Sequence, residues 1–167
     1  MDRTTGNASK TSTRRSFLWL LSAIAIARPK LVHAQTPNKI PASIVPQDHL
    51  LQPEALQQQL TALKGVPILQ VGSHTQYDQA HIPGSEYIGL VSQPAGQDAL
   101  RTRVKDLPRD KALVLYCGCC PWERCPNIGA AWTLLEQMGF RNVKVLYIAN
   151  NFGADWVQKH YPVEPAQ

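Results

Sequence analysis

Apolar residues recur along this chain at two spacings, and the alternation between them lays out a series of strands and helices. Between Pro53 and Lys64, Leu56, Leu60 and Leu63 fall at helical spacing, with Pro53 suited to a first turn and Gly65 to the stop. Val66 to Val71 is a short, mostly apolar run of strand length. His74 to Gln79 has room for one helical turn, Ile82-Pro83-Gly84 is turn chemistry, and Glu86 to Leu90 reads as another short strand. Gln97 to Leu107 predicts a helix with Leu100, Val104 and Leu107 on one face. Lys111 to Tyr116 is the clearest buried strand. Ile128 to Met138 repeats Ala131, Leu134, Leu135 and Met138 at helical spacing, with Asn127 as the expected cap and Gly139 as the stop. Val143 to Ile148 is a further strand. Ala154 to His160 is the last helix, with Asp155 as an acid in its first turn and Trp156 packed inward. Strands alternating with helices of this length predict an α/β fold, a central parallel sheet with helices on both faces. Ligands in such sheets bind beyond the carboxyl ends of the strands, where the loop after Tyr116 lies.

The N-terminus follows a different pattern. Phe17 to Ala27 is uncharged and directly follows Arg14-Arg15, the arrangement of a twin-arginine signal peptide. Val32-His33-Ala34 offers a small residue for cleavage, so residues 1–34 are expected to be removed and the protein to be periplasmic. The apolar run meets Arg28-Pro29-Lys30 short of the roughly 20 residues that a membrane span needs. An uncleaved anchor is the alternative; otherwise no stable membrane insertion is expected. Residues 35–48, with three prolines up to Pro46, read as an extended linker, and residues 49–165 as one domain.

Charge then excludes one class of partner. The leader holds six of the 17 basic residues and one of the 12 acids, which leaves 11 of each sign in the remainder. Nucleic-acid binding needs a clustered basic face to displace phosphate counterions, and a neutral domain offers none.

The chemistry concentrates in one place. Cys117, Cys119, Cys120 and Cys125 are the only cysteines, and all fall within nine positions. Disulfides that staple an exported domain tie distant elements together, so these thiols point instead to reactivity or metal binding. A thiolate is stabilised at a helix N-terminus by unpaired N–H groups and the helix dipole. Cys117 ends a strand and the loop returns into a helix, so a thiol held there can become a nucleophile, with amides of residues 118–126 as a cradle for its anion. Cys125 lies nearest the helix start and competes for that role. Cys119 and Cys120 are accessory thiols, available to resolve a persulfide, to form a local disulfide, or, with Cys117 and Cys125, to bind Cu(I) or Zn(II).

Separated motifs add a resemblance. Leu69-Gln70-Val71-Gly72-Ser73, then Tyr77-Asp78-Gln79-Ala80-His81-Ile82-Pro83-Gly84-Ser85, resembles the opening of a rhodanese domain. Tyr116-Cys117 is similar to that family's strand ending in the sulfur-carrying cysteine. Ala130-Ala131, Leu134, Gly139-Phe140, Asn142-Val143, Leu146, Trp156 and Tyr161-Pro162-Val163 follow its later elements in order. The resemblance implies a three-layer rhodanese-like fold and a sulfurtransferase carrying a persulfide on Cys117. It implies no cofactor. The partners would be a small sulfur-containing substrate and a thiophilic acceptor, such as a thiol-bearing protein. The alternative is a non-catalytic thiol module that binds a soft metal or serves as a redox or binding partner.

The chain departs from the family pattern in three ways. Gln70 and Gly72 stand where the family has Asp and Arg, removing an ion pair that neutral residues can replace. The active-site loop is longer by about four residues when anchored on Tyr116 and on Ala130-Ala131. Pro126-Asn127 replaces the family's Arg-Ser, which leaves Arg124 as the one basic side chain available to bind an anionic substrate. His81 is expected to support its turn, and His49, His74 and His160 to be ordinary surface residues. Trp122 and Glu123 either shape a pocket mouth or cover the domain.

Overall fold

The structure, a computed structural model, describes residues 41–165. The signal-peptide reading and residues 35–40 of the expected linker lie outside the described residues. Five strands, β1 (Leu50–Leu51), β2 (Ile68–Gln70), β3 (Glu86–Tyr87), β4 (Leu113–Tyr116) and β5 (Val143–Leu146), form one sheet in the order β1-β5-β4-β2-β3. Every pairing is parallel. The helices are α1 (Pro53–Gln59), α2 (His74–Gln79), α3 (Pro94–Val104), α4 (Pro126–Gln137) and α5 (Phe152–Asp155). No described helix is long and apolar enough to cross a membrane.

The period-2 alternation of β4 sorts the core into two layers. Leu113, Leu115 and Cys117 face one way and join Leu100, Val104, Ile128, Ala131 and Leu135, the buried face of α3 and α4. Val114 and Tyr116 face the other way, against Leu56, Ile82, Phe152 and Trp156. The expected three layers are therefore present. From β2 the chain steps outward to β3, then returns across the sheet to β4 and continues to β5. The crevice at this reversal, between the carboxyl ends of β2 and β4, is where such sheets bind ligands.

Element ends differ from the expectations for identifiable reasons. α1 stops at Gln59, and residues 60–65 continue as turns that leave Leu60 and Leu63 half-buried, with Gly65 at φ +83. α3 starts earlier, because Pro94 occupies its first turn. α4 also starts earlier: its N-cap is Cys125, with Pro126 in the first turn, so Asn127 is not the cap. The last helix begins at Phe152, capped by Asn151, whose side chain accepts from the Ala154 N–H at 2.9 Å. Asp155 closes that helix rather than opening it, and its carboxylate accepts from the Asn150 N–H and side-chain amide. Trp156 is fully buried, and its Nε1 donates to the Pro162 carbonyl at 2.8 Å, which breaks the helix into a 3-10 turn over Val157–Lys159. Residues 41–48, expected to be extended, form 3-10 turns at Ala42–Ile44 and Gln47–His49, with Ala42 and Val45 in the core.

Edge strand β3 is tied to α3 by a two-pronged ion pair. Arg103 Nε and Nη2 donate to the two carboxylate oxygens of Glu86 at 2.5 and 2.7 Å. Hydrogen bonding from Arg103 outweighs burial and holds the Glu86 carboxyl below its usual range. A depressed carboxylate stabilises the fold above its ordinary titration range, and that contribution is lost as pH falls through the lowered folded value. Both side chains are substantially exposed, so solvent screening limits the pair to about 1 kcal/mol. Arg103→Ala should therefore lower urea stability by about that much at neutral pH, with the gap to the parent closing in acid. A gap that persists once Glu86 is protonated would show that packing of the Arg103 stem, not charge, makes the difference.

Candidate functional site

β4 delivers Cys117 to the carboxyl edge of the sheet at the strand-order reversal. Cys117 is 3% exposed and sits in the α4-side core. Gly72 makes room beside it, and Gly118 lets Phe152 approach the loop. A Cβ at Gly72, just after β2, would lie 2.7 Å from Cys117 Sγ, and one at Gly118 would lie 2.4 Å from the Phe152 Cβ. Glycine at position 72 leaves room for the Cys117 sulfur where it stands; a side chain there would require the sulfur to shift. Gln70, 2% exposed, substitutes neutral hydrogen bonds for the missing ion pair. Its Oε1 accepts from the Gly72 N–H at 3.1 Å, and its Nε2 donates to the Ser73 carbonyl at 3.4 Å.

Beyond Cys117 the loop is pinned at three points before it enters α4. The Gly118 carbonyl accepts from Gln76 Nε2 at 2.5 Å and from the Phe152 N–H at 3.1 Å. The Trp122 N–H donates to the Ala149 carbonyl at 3.1 Å, and its buried ring packs on Tyr147 with centroids 5.1 Å apart. Trp122 therefore anchors the inserted stretch to the core, while Glu123 and Arg124 are exposed. The third point is Cys125, buried at the start of α4.

This path gathers the thiols. Cys117 and Cys119 have their sulfurs 3.1 Å apart, and Cys119 and Cys120 theirs 3.5 Å apart. Cys117, Cys119 and Cys125 sulfurs all lie within 4.8 Å of one another. Cys117 and Cys125 are buried, Cys120 is half-buried, and Cys119 is exposed. The buried Asn127 joins them. Its Oδ1 accepts from the Ser92 N–H at 3.0 Å, and its Nδ2 points to Cys119 Sγ at 3.7 Å and Cys117 Sγ at 3.9 Å.

The expected cradle around Cys117 is not formed: among the described residues no backbone N–H donates to its sulfur. The amides of Gly118, Cys119 and Cys120 have no acceptor among these residues and remain available to an anion. Two thiolates about 4 Å apart repel by roughly 4 kcal/mol near a protein surface, so the cluster ionises one sulfur at a time. Hydrogen bonding from Cys117, then from Cys125, holds the Cys119 thiol far below the ordinary range. Interaction with Cys119, then with Cys120 and Cys125, and burial besides, pushes the Cys117 thiol well up. Cys125 is pushed up to about 12: the interaction with Cys117 pulls it down, but the interaction with Cys119 and burial outweigh that. Interaction with Cys117, chiefly, lowers the Cys120 thiol. The exposed Cys119 is thus the easier sulfur to ionise and the buried Cys117 and Cys125 the harder ones.

Arg124 lines a cavity of about 350 Å³ with Pro41, Glu123, Cys125 and Pro126, next to the helix-capping thiol. The histidines stand apart from the thiols. His81 is buried, stacks on Tyr77 at 3.9 Å, and holds the Glu164 backbone through paired hydrogen bonds, the supporting role expected of it. His49 is more than a surface residue: its Nδ1 pairs with the Val143 carbonyl at 2.8 Å and its ring meets Trp132 edge-on. His74 faces Asp78 at 2.8 Å, and His160 is exposed in the left-handed region at φ 58. Asn127 is the site residue that sequence reasoning misplaced. Its position two residues after Cys125, behind a proline that takes the first helical turn, was the available signal.

The model of the rhodanese-like domain family matches residues 52–147. Among solved structures, a rhodanese-like domain from an Anabaena protein superposes with a TM-score of 0.51 at 19% identity, covering 71% of this chain and 80% of that one. A thiosulfate sulfurtransferase from Pseudomonas aeruginosa gives 0.54 at 22% identity, covering 78% of this chain but 23% of that one. A Bacillus halodurans protein gives 0.53 at 22% identity, covering 70% and 77%. No curated protein matches the chain.

Asn127 offers the test of the cluster's electrostatics. Asn127→Leu keeps the volume but strands the Ser92 N–H and removes the Nδ2 donor, and should cost about 1–3 kcal/mol in urea denaturation. Asn127→Asp keeps the acceptor for Ser92 but sets a carboxylate against the thiolate, so the ultraviolet thiolate absorbance should titrate at higher pH than in the parent. An unmoved titration would mean that Asn127 does not act on the sulfurs.

Proposed function

The chain belongs to the rhodanese-like domain family, and from that premise we propose that it is a sulfurtransferase that carries sulfane sulfur on Cys117. The observation that carries the reading is the placement of Cys117: it ends the central strand at the sheet's switch point, with the Cys119 sulfur 3.1 Å away. Cys117 gives up its proton to solvent. The resulting Cys117 thiolate attacks the outer sulfur of a donor such as thiosulfate; a new S–S bond forms, the donor's S–S bond breaks, and its electron pair leaves with sulfite. The amides of Gly118, Cys119 and Cys120, on the loop that follows Cys117, have no backbone acceptor among the described residues, and turning toward the persulfide anion they would stabilise its charge. A thiophilic acceptor removes the outer sulfur and restores the Cys117 thiolate. Arg124, exposed on the same loop, is the available cation for an anionic donor.

The Arg14-Arg15 pair ahead of Phe17–Ala27 supports the further reading that the chain is exported by the twin-arginine route, cleaved near Ala34, and works in the periplasm. The likeness to a thiosulfate sulfurtransferase supports thiosulfate as a donor to try first.

Mass spectrometry of the reduced protein after thiosulfate treatment should show an adduct of one sulfur atom, localised by peptide mapping to Cys117 and absent from Cys117→Ser. Cys119→Ser removes the neighbour that chiefly raises the Cys117 thiol and should speed loading without moving the adduct. No adduct on the parent protein, or an adduct that survives Cys117→Ser, contradicts the assignment.

A further inference from the structure

Sulfur carriage needs one thiol, and the loop brings together three others. Cys117 and Cys125 are fixed by the end of β4 and the start of α4, and Cys119 stands between them on the loop, exposed to solvent. We propose that Cys117, Cys119 and Cys125 form a binding site for a soft metal ion, and that cuprous copper is the ion the donor set fits.

Three observations support this. The first is spacing. Metal–thiolate bonds of about 2.3 Å place three sulfurs around one ion roughly 4 Å apart. The three sulfurs here already lie within 4.8 Å of one another, with one pair at 3.1 Å, so closure on an ion needs only small side-chain adjustments. The second is donor chemistry. The cluster is sulfur alone, with no imidazole or carboxylate among its ligating atoms. All-thiolate sets select soft ions, and a three-sulfur set suits Cu(I), whereas structural zinc is closed by four ligands. The third is the surroundings. Asn127 Nδ2 lies 3.7 and 3.9 Å from two of the sulfurs, its carbonyl fixed by the Ser92 N–H. That is the outer hydrogen bonding that orients metal ligands and offsets their charge. Two ligands are buried and one is exposed, so the ion has an approach from solvent and a largely dry seat.

Cys120 is left out of the set. Its sulfur lies 3.5 Å from that of Cys119 and donates to the Arg124 carbonyl at 3.8 Å, outside the set of three mutually close sulfurs. The site goes beyond the sulfur-transfer reading and does not depend on it. Both uses need Cys117, so an ion bound here would exclude a persulfide.

The test is anaerobic titration of the reduced full chain with Cu(I) against a colorimetric Cu(I) chelator, with X-ray absorption at the copper edge. The expected result is one ion per chain in a shell of three sulfurs. Cys119→Ser and Cys125→Ser should each weaken retention by about a hundredfold or more, as exceeds the loss of an outer-shell partner, while Cys120→Ser should leave it nearly unchanged. Urea unfolding of each variant separates ligand loss from misfolding. The parent's sulfur count needs no variant: fewer than three sulfurs, no retention against the chelator, or zinc held in preference by all four cysteines overturns the proposal. Neither readout involves sulfur transfer, so a failure here leaves that reading standing, and a failure there leaves this one.

Discussion

The structure turns on how little chain separates the end of β4 from the start of α4. Seven residues lie between Cys117 and Cys125, and they are pinned to Gln76, Phe152 and Ala149 on the way. Four thiols cannot spread apart on such a path. Once sulfurs stand this close, a second negative charge costs several kcal/mol, so they titrate and react as a group. The interactions favour charge on the exposed Cys119 over the buried Cys117 and Cys125, and Asn127 points its amide at Cys119 and Cys117.

This constraint explains features that otherwise look like losses. In this rhodanese-like domain, without the acidic strand end and the arginine two residues later, Gln70 meets the Gly72 and Ser73 backbone with neutral hydrogen bonds. Gly72 is the residue that lets a sulfur sit against the chain. The longer loop is held by Trp122, whose indole fills the core above Tyr147. The insertion is thus a supported structure that positions additional thiols.

Much of the architecture was legible in the sequence because the core repeats simply: Leu113, Leu115 and Cys117 against Val114 and Tyr116 is a period-2 pattern, and Leu134 and Leu135 mark one helical face. Element ends were less legible, since they depend on tertiary contacts. The break at Trp156 comes from its indole reaching Pro162, and nothing in the local sequence signals that bond. Ala42 and Val45 sit in a proline-rich stretch whose composition hides their burial. For the site, clustering identified the four cysteines, and the resemblance of Tyr116-Cys117 to the rhodanese strand end singled out Cys117. The order of their ionisation was not readable, because it depends on which sulfur reaches water and which faces Gly72. Asn127 was read as a cap because residue type favours that role; Pro126 in the first helical turn moved the cap to Cys125 and freed the amide to face the sulfurs.

Peptide-resolved alkylation of the reduced protein across a pH series tests the shared charge most directly. The account predicts that Cys119 is modified first and stays reactive below the ordinary thiol range, while Cys117 and Cys125 resist modification until Cys119 is blocked or the pH is well above neutral. Alkylation of Cys117 as fast as Cys119 near neutrality, or four sites reacting independently of one another, would contradict it.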